Sequence, residues 1–277
     1  MRMFTLFALV LLAACGPRAA EEPSPSPSAK AAQPGPNLPR DQAGEAVRRA
    51  IAFHGGWDAW AGKRTVEFQK TTTRYRPDGT AEAPRTQYHR YVLRPELKAR
   101  IEWDDAGRKV VLVNSGGEAW KTVDGKLAGA PEDRNQARNS TFGSHYVFNM
   151  PWKLADPGAH LAYAGRESLT DGTAVDKVRV TYARGTGDAG GLHAWTYLFD
   201  VKTGRLAANL LSYGPGKYDY TEYRDDHETG GLRFAARRLD FEAGEKGKRG
   251  PKASEIVYQH IRFDVPLPDG LFQRPRS

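Results

Sequence analysis

The feature that most constrains this chain is a two-residue alternation of apolar and polar side chains that begins after Trp60 and recurs almost to the end. In LKARIEWDD, residues 97–105, Leu97, Ala99, Ile101 and Trp103 share one face while Lys98, Arg100 and Glu102 share the other. That is the pattern of a strand buried on one side. TVEFQKTTTRY, TQYHRYVLR, RKVVLVN, DKVRVTYA, HAWTYLFD, RLAANLLSY, YDYTEYRD, RFAARRLDF and EIVYQHIRFDV are similar runs. Turn signals separate them: Pro77-Asp78-Gly79, Asp105 to Gly107, Ser115-Gly116-Gly117, Thr203-Gly204 and Gly230-Gly231. The series predicts an α+β chain built on one large curved antiparallel sheet of about ten or eleven strands, a meander joined mostly by hairpins.

Helical spacing appears in two places. In DQAGEAVRRAIAFHGGWDAW, Asp41 is placed to cap a helix whose Ala43, Val47, Ala50, Ile51 and His54 recur every three or four residues, with Gly55-Gly56 as its stop. Residues 131–160 interrupt the strands: PEDRNQARNS reads as a helix and YVFNMPWKLADPG as an irregular aromatic segment. A curved sheet leaves a concave face that something apolar must cover. The helix at 41–54 and the aromatic segment 142–154 are the candidates, with a ligand cavity expected where they leave room.

The N-terminus carries a different signal. LFALVLLAACGPR, residues 6–18, places the only cysteine, Cys15, behind an apolar run too short to span a bilayer. Arg2, the run Phe4 to Leu12 and the small residues Ala13 and Ala14 have the layout of a signal peptide, residues 1–14. Leu12-Ala13-Ala14-Cys15 resembles the bacterial lipoprotein signal, which implies cleavage before Cys15, its acylation and a membrane anchor. Gly16 after the cysteine implies sorting to the outer membrane. With that thiol consumed, no intramolecular disulfide and no cysteine chemistry remain. Residues 16–40 hold seven prolines and almost no large apolar side chain. Residues 15–40 therefore read as the lipidated Cys and a disordered tether, able to reach roughly 75 Å in polyproline II, and 41–277 as one domain.

Motifs for chemistry dissolve on inspection. Gly185-Thr186-Gly187-Asp188-Ala189-Gly190 fits a dinucleotide-binding spacing but lies between two strands, where a hairpin loop is expected. His227-Glu228 lacks the second histidine of a zinc-protease helix, and no G-x-S-x-G elbow is present. Asp104-Asp105 and Asp225-Asp226 fall at expected turns. No cofactor and no metal site are expected. His54, in a last helical turn, reads as a structural residue. A net charge of +8 calls for an acidic partner, and GEKGKRGPK at 244–252 is the sharpest basic cluster, expected at a hairpin tip. Export argues against nucleic acid and in favour of anionic lipid head groups.

Aromatics are the strongest remaining signal. Trp195, Tyr197 and Phe199 alternate with Ala194, Thr196 and Leu198, so that strand is expected to be buried on both faces. Tyr218 and Tyr220 share a face, with Tyr223 opposite. Trp103, Trp120, Tyr146, Trp152 and Trp195 are the candidate cavity or lid residues.

These pieces carry a resemblance. His54-Gly55-Gly56 with Trp60, Gly117-Glu118-Ala119-Trp120, Tyr146, Phe148, Met150-Pro151-Trp152-Lys153-Leu154, Asp156-Pro157-Gly158, Tyr163, Gly165 and Phe199-Asp200 before Thr203 resemble a family of uncharacterised bacterial envelope lipoproteins. That family is similar to the LolA/LolB-like lipoprotein-localisation proteins. The resemblance implies an open half-barrel with helices plugging its concave side, and carriage of a lipid or lipoprotein without catalysis. It supplies no catalytic residues. The expected function is thus an outer-membrane-anchored lipoprotein that holds or transfers a lipid, a lipoprotein or another hydrophobic ligand. Two alternatives are an envelope module that binds another protein, and a hydrolase using His54, His145 or His193 with a carboxylate.

Overall fold

Asp41 starts the fold. Its side chain accepts the Gly44 N–H at 2.9 Å, capping α1 (Gln42–Phe53), whose buried face is Ala43, Ala46, Val47, Ala50 and Ile51. A short α2 (Trp57–Ala61) leads into the sheet. The computed structural model describes residues 35–244 and 247–275. The signal peptide, Cys15 and most of the tether lie outside the described residues, as do two positions of the basic tip. Residues Gln33–Ser277 form a unit in themselves, and every core cluster lies within it.

Among the described residues, thirteen strands make one antiparallel sheet. The first group is β1 (Thr65–Arg74), β2 (Arg85–Val92), β3 (Lys98–Asp105), β4 (Arg108–Ser115), β5 (Glu118–Val123) and the two-residue β6 (Lys126–Leu127). The second is β7 (Ala159–Ser168), β8 (Ala174–Tyr182), β9 (Ala194–Asp200), β10 (Leu206–Gly214), β11 (Lys217–Thr229), β12 (Leu232–Ala243) and β13 (Arg249–Phe263). Their order across the sheet is β6-β5-β4-β3-β2-β1-β13-β12-β11-β10-β9-β8-β7.

The sheet is single and open, as expected, but it is wound as two meanders rather than one. The chain enters at the centre with β1, steps outward to β6, crosses to the opposite edge at β7, and steps back until β13 pairs with β1. The crossing element is α3 (Pro131–Phe148), followed by a 3₁₀ turn at Trp152–Ala155. Residues 142–148, expected to be irregular, thus continue the helix. Register shifts between β1 and β13, β7 and β8, β9 and β10, and β12 and β13 supply bulges that bend the sheet. Asp225, expected at a turn, lies inside β11 with φ +56°, and β11 runs on to Thr229.

Both faces are covered in part. α1, the C-terminal end of α3 and Met150 to Ala155 pack on the concave face against Phe68, Tyr91, Tyr197, Phe199, Phe234 and Tyr258. On the other face Leu198 joins Val175, Ala207 and Ala208, so β9 is buried on both sides as its sequence indicates. Tyr220 packs on that outer cluster and Tyr223 enters the concave core. The C-terminal segment returns over the outer face of β3–β5, where Phe272 meets Val111, Val113 and Trp120. Between β12 and β13 the Gly244 N–H donates to the Lys248 carbonyl at 3.0 Å.

Candidate functional site

The concave face is unevenly filled. Over β7–β13 the filling is an aromatic core: Tyr146, Trp152 and Trp195 are all buried there. The hydroxyls of Tyr146 and Tyr182 are 2.6 Å apart, and the Tyr197 hydroxyl donates to Tyr146 at 3.2 Å. Over β3–β5 the cover is α3. An apolar strip of Ile101, Trp103, Val110, Leu112 and Ala119 packs under α3, whose apolar contribution to the cluster is Ala137. Of residues 131–140 only Ala137 is buried. The polar half of α3 is tied down by Lys121, whose ammonium is 2.9 Å from the Asp133 carboxylate.

A cavity of about 400 Å³ opens beside this strip. Trp103, Leu112 and Ile256 give its apolar part, Gln136 and Ser140 of α3 one wall, and Lys70, Arg74 and Arg85 its charge. Trp103 is only 7% exposed, and its indole N–H has no hydrogen-bond partner among the described residues. Burial, followed by the charge of Arg238, pushes the Lys70 ammonium pKa down to about 8. On the other flank of α3 a second cavity of about 670 Å³ is lined by Phe142, Leu192, His193 and the glycines of the β8–β9 loop. Leu192 is 84% exposed at its rim.

His54 stands apart from both cavities. Its Nδ1 is 2.7 Å from the Arg233 carbonyl, and its Nε2 accepts the Leu206 N–H at 3.3 Å, which fixes the proton on Nδ1. Burial lowers its pKa to about 4. Gly55 follows at φ +107°, where a Cβ would fall 2.3 Å from the Gly231 carbonyl oxygen. This joint clips the end of α1 onto the β11–β12 hairpin, and the Arg233 N–H returns a bond to the His54 carbonyl at 3.0 Å.

No protein-family model matches the sequence, and no curated protein does. Solved structures do. A DUF1329 family protein from Desulfovibrio piger superposes with a TM-score of 0.57 at 12% identity, covering 84% of this chain and 98% of that one. A LolA superfamily protein from Nitrosomonas europaea gives 0.54 at 12% identity over 84% and 97%. A Vibrio parahaemolyticus domain assigned to outer membrane lipoprotein sorting gives 0.51 at 11% identity over 82% and 94%. The fold is LolA-like.

Within this LolA-like fold two of the quoted motifs, His54-Gly55-Gly56 with Trp60 and Met150-Pro151-Trp152-Lys153-Leu154, meet in one joint. Trp152 donates its indole N–H to the Gly56 carbonyl at 3.0 Å and stacks on Trp60 with ring centres 5.2 Å apart. The Arg94 guanidinium lies 4.9 Å over Trp60, and Lys153 pairs with Asp156. Of the five aromatic candidates, Trp103 lines a cavity, Tyr146, Trp152 and Trp195 pack in the core, and Trp120 lies on the outer face under Phe272. His145 is buried against Tyr91, at 5.6 Å between rings, and His193 stands at the rim beside Tyr213. Among the described residues no three His, Cys, Asp or Glu side chains gather as a metal site requires. No helix among them is long and apolar enough to cross a membrane.

Sequence reasoning missed Lys70, Gln136 and Ser140 as cavity residues. Lys70 has a readable signal: in TVEFQKTTTRY it continues the apolar face of Val66 and Phe68, an inward charge on a strand. Gln136 and Ser140 have none, because only the crossing of α3 brings them to the strip.

Proposed function

We propose that this protein is an envelope lipoprotein, anchored through acylated Cys15 to the outer membrane and facing the periplasm. It binds the acyl chain of a lipid or lipoprotein noncovalently, on the concave face beneath the polar half of α3. The observation that carries this reading is the mismatch at Ala137: a largely polar helical half, with one small buried side chain, covers a strip of Ile101, Trp103, Val110 and Leu112.

Magnitudes favour exchange of that cover for a ligand. Each methylene buried on the strip contributes about 0.8 kcal/mol, so six contribute about 5 kcal/mol. The half-buried Lys121–Asp133 pair contributes on the order of 1 kcal/mol or less. Displacing residues 131–140 toward solvent exposes few apolar atoms of the helix itself, while the C-terminal end stays rooted through Tyr146 and Phe148. Trp103 is the aromatic that meets the chain. The LolA-like neighbours, one of them assigned to lipoprotein sorting, fit a carrier of this kind. No covalent step is required.

The test is photo-crosslinking of the purified protein with a diazirine-bearing fatty acid, followed by mapping of the adducts. Adducts concentrated at Ile101, Trp103, Val110 and Leu112 support the reading. Adducts confined to the outer face, or none at saturating probe, contradict it.

A further inference from the structure

The charged end of the cavity beside the strip is not needed to hold an acyl chain. Lys70 and Thr72 on β1, Arg74 at its end and Arg85 at the start of β2 converge there from the β1–β2 hairpin. Glu82 is the carboxylate on the lining, and it is turned toward Arg76, 3.7 Å away. Arg85 is shared with Asp105 at 3.3 Å on the exposed side. Below them Asp240 is already committed, accepting from Arg238 at 3.1 Å, Ser254 at 2.8 Å and Thr221 at 2.8 Å. The cavity therefore holds more cationic than anionic charge, in a recess from which water is partly withdrawn.

We propose that this recess is an anion subsite that takes the phosphate of a phosphate ester, with Lys70, Arg74 and Arg85 as its cations and the Thr72 hydroxyl as a neutral donor. Cations around a phosphate form charge-assisted bonds about twice as strong as neutral ones. Lys70 faces Tyr258 across β13, Arg238 and Asp240 on β12, His89 and Gln87 on β2, and the uncharged Gln136 and Ser140 of α3. A bound anion offsets the repulsion from Arg238 and raises the Lys70 pKa. Binding near pH 8 then takes up roughly half a proton. This site deepens the proposed function by naming the head group that accompanies the acyl chain, and in that sense rests on it.

The experiment is isothermal titration calorimetry of the Gln33–Ser277 unit at pH 8, in two buffers of different ionisation enthalpy, with inorganic phosphate and with dihexanoyl phosphatidylglycerol. One site per protein with proton uptake is expected, weakened roughly tenfold or more by Lys70→Met and by Arg85→Gln. Arg85 is half-exposed, so its variant keeps the test valid if Lys70→Met does not fold. Phosphate binding as tightly as the lipid identifies the free anion as sufficient ligand. A lipid preference of tenfold or more identifies the head group of an amphiphile. Absence of binding by both, or binding indifferent to both substitutions, overturns the subsite. Titration with N-phenyl-1-naphthylamine on the same samples reads the apolar strip separately. Loss of that probe with phosphate binding kept defeats the acyl-chain reading alone, and the reverse defeats the subsite alone.

Discussion

Trp152 stacks on Trp60 with ring centres 5.2 Å apart while its indole N–H reaches the Gly56 carbonyl at 3.0 Å. The 3₁₀ turn after α3 is thereby fastened to α2 and to the turn after α1. Such a contact is structural in its energetics. Trp152→Ala is expected to cost about 3–5 kcal/mol of unfolding free energy through lost packing, with an unchanged denaturant slope. Urea titration followed by circular dichroism measures it. A loss below 1 kcal/mol means that the joint does not hold the two helices.

Acid weakens this fold through its buried histidines. Burial holds the His54 pKa at about 4, and burial also holds His89 and His145 well below 6.5. The unfolded chain keeps ordinary histidines near 6.5 and binds those protons first. The stability they contribute is therefore complete above about pH 6.5 and is lost as pH falls toward 4, by on the order of 3 kcal/mol for His54 alone. Urea midpoints at pH 7, 5.5 and 4.5 follow the loss. A midpoint constant to pH 4.5 contradicts the burial of these rings.

The strand β3 is legible in the sequence because Leu97, Ala99, Ile101 and Trp103 keep a strict period of two beside charged neighbours. The edge strand β7 is not. Its inward residues are only half-buried and Gly165 breaks the run at φ +91°, so AHLAYAGRES carries little apolar contrast. The six-residue β5 is squeezed between the Gly116-Gly117 and Asp124-Gly125 turns and is too short to show a clear alternation. The capped helix at 42–53 follows from local chemistry, whereas the strip beneath α3 depends on which strands a crossing helix meets, a long-range outcome. Trp120 shows the same boundary: alternation separates it from Ala119, but only the return of Phe272 decides that its side is the outer one.

Ala137 sets how readily the strip opens. Ala137→Glu places a charge against Trp103 and Leu112, which disfavours the closed position of residues 131–140. Apparent affinity rises in proportion to the open fraction, so a closed state weakened by about 1.4 kcal/mol binds N-phenyl-1-naphthylamine up to roughly tenfold more tightly. Fluorescence titration reads the change, and hydrogen exchange is expected to quicken at residues 134–141 while residues 146–148 stay protected. Weaker probe binding with an intact fold means that α3 belongs to the binding surface rather than covering it.

The anchor is tested without reference to the fold. Cells grown with labelled palmitate are expected to incorporate it into the full chain, and Cys15→Ala is expected to lose the label and retain residues 1–14. Mass measurement of both forms decides. A mature chain starting elsewhere, or label retained by the variant, contradicts acylation at Cys15.

The most direct measurement of acyl-chain binding is native mass spectrometry of the Gln33–Ser277 unit exported to a bacterial periplasm. Cys15 is absent from it, so any lipid observed is held noncovalently by the fold. The expected spectrum shows one phospholipid or acylated species per protein, regained when the stripped protein meets added lipid. A clean apo mass with no uptake of added lipid contradicts the carrier function.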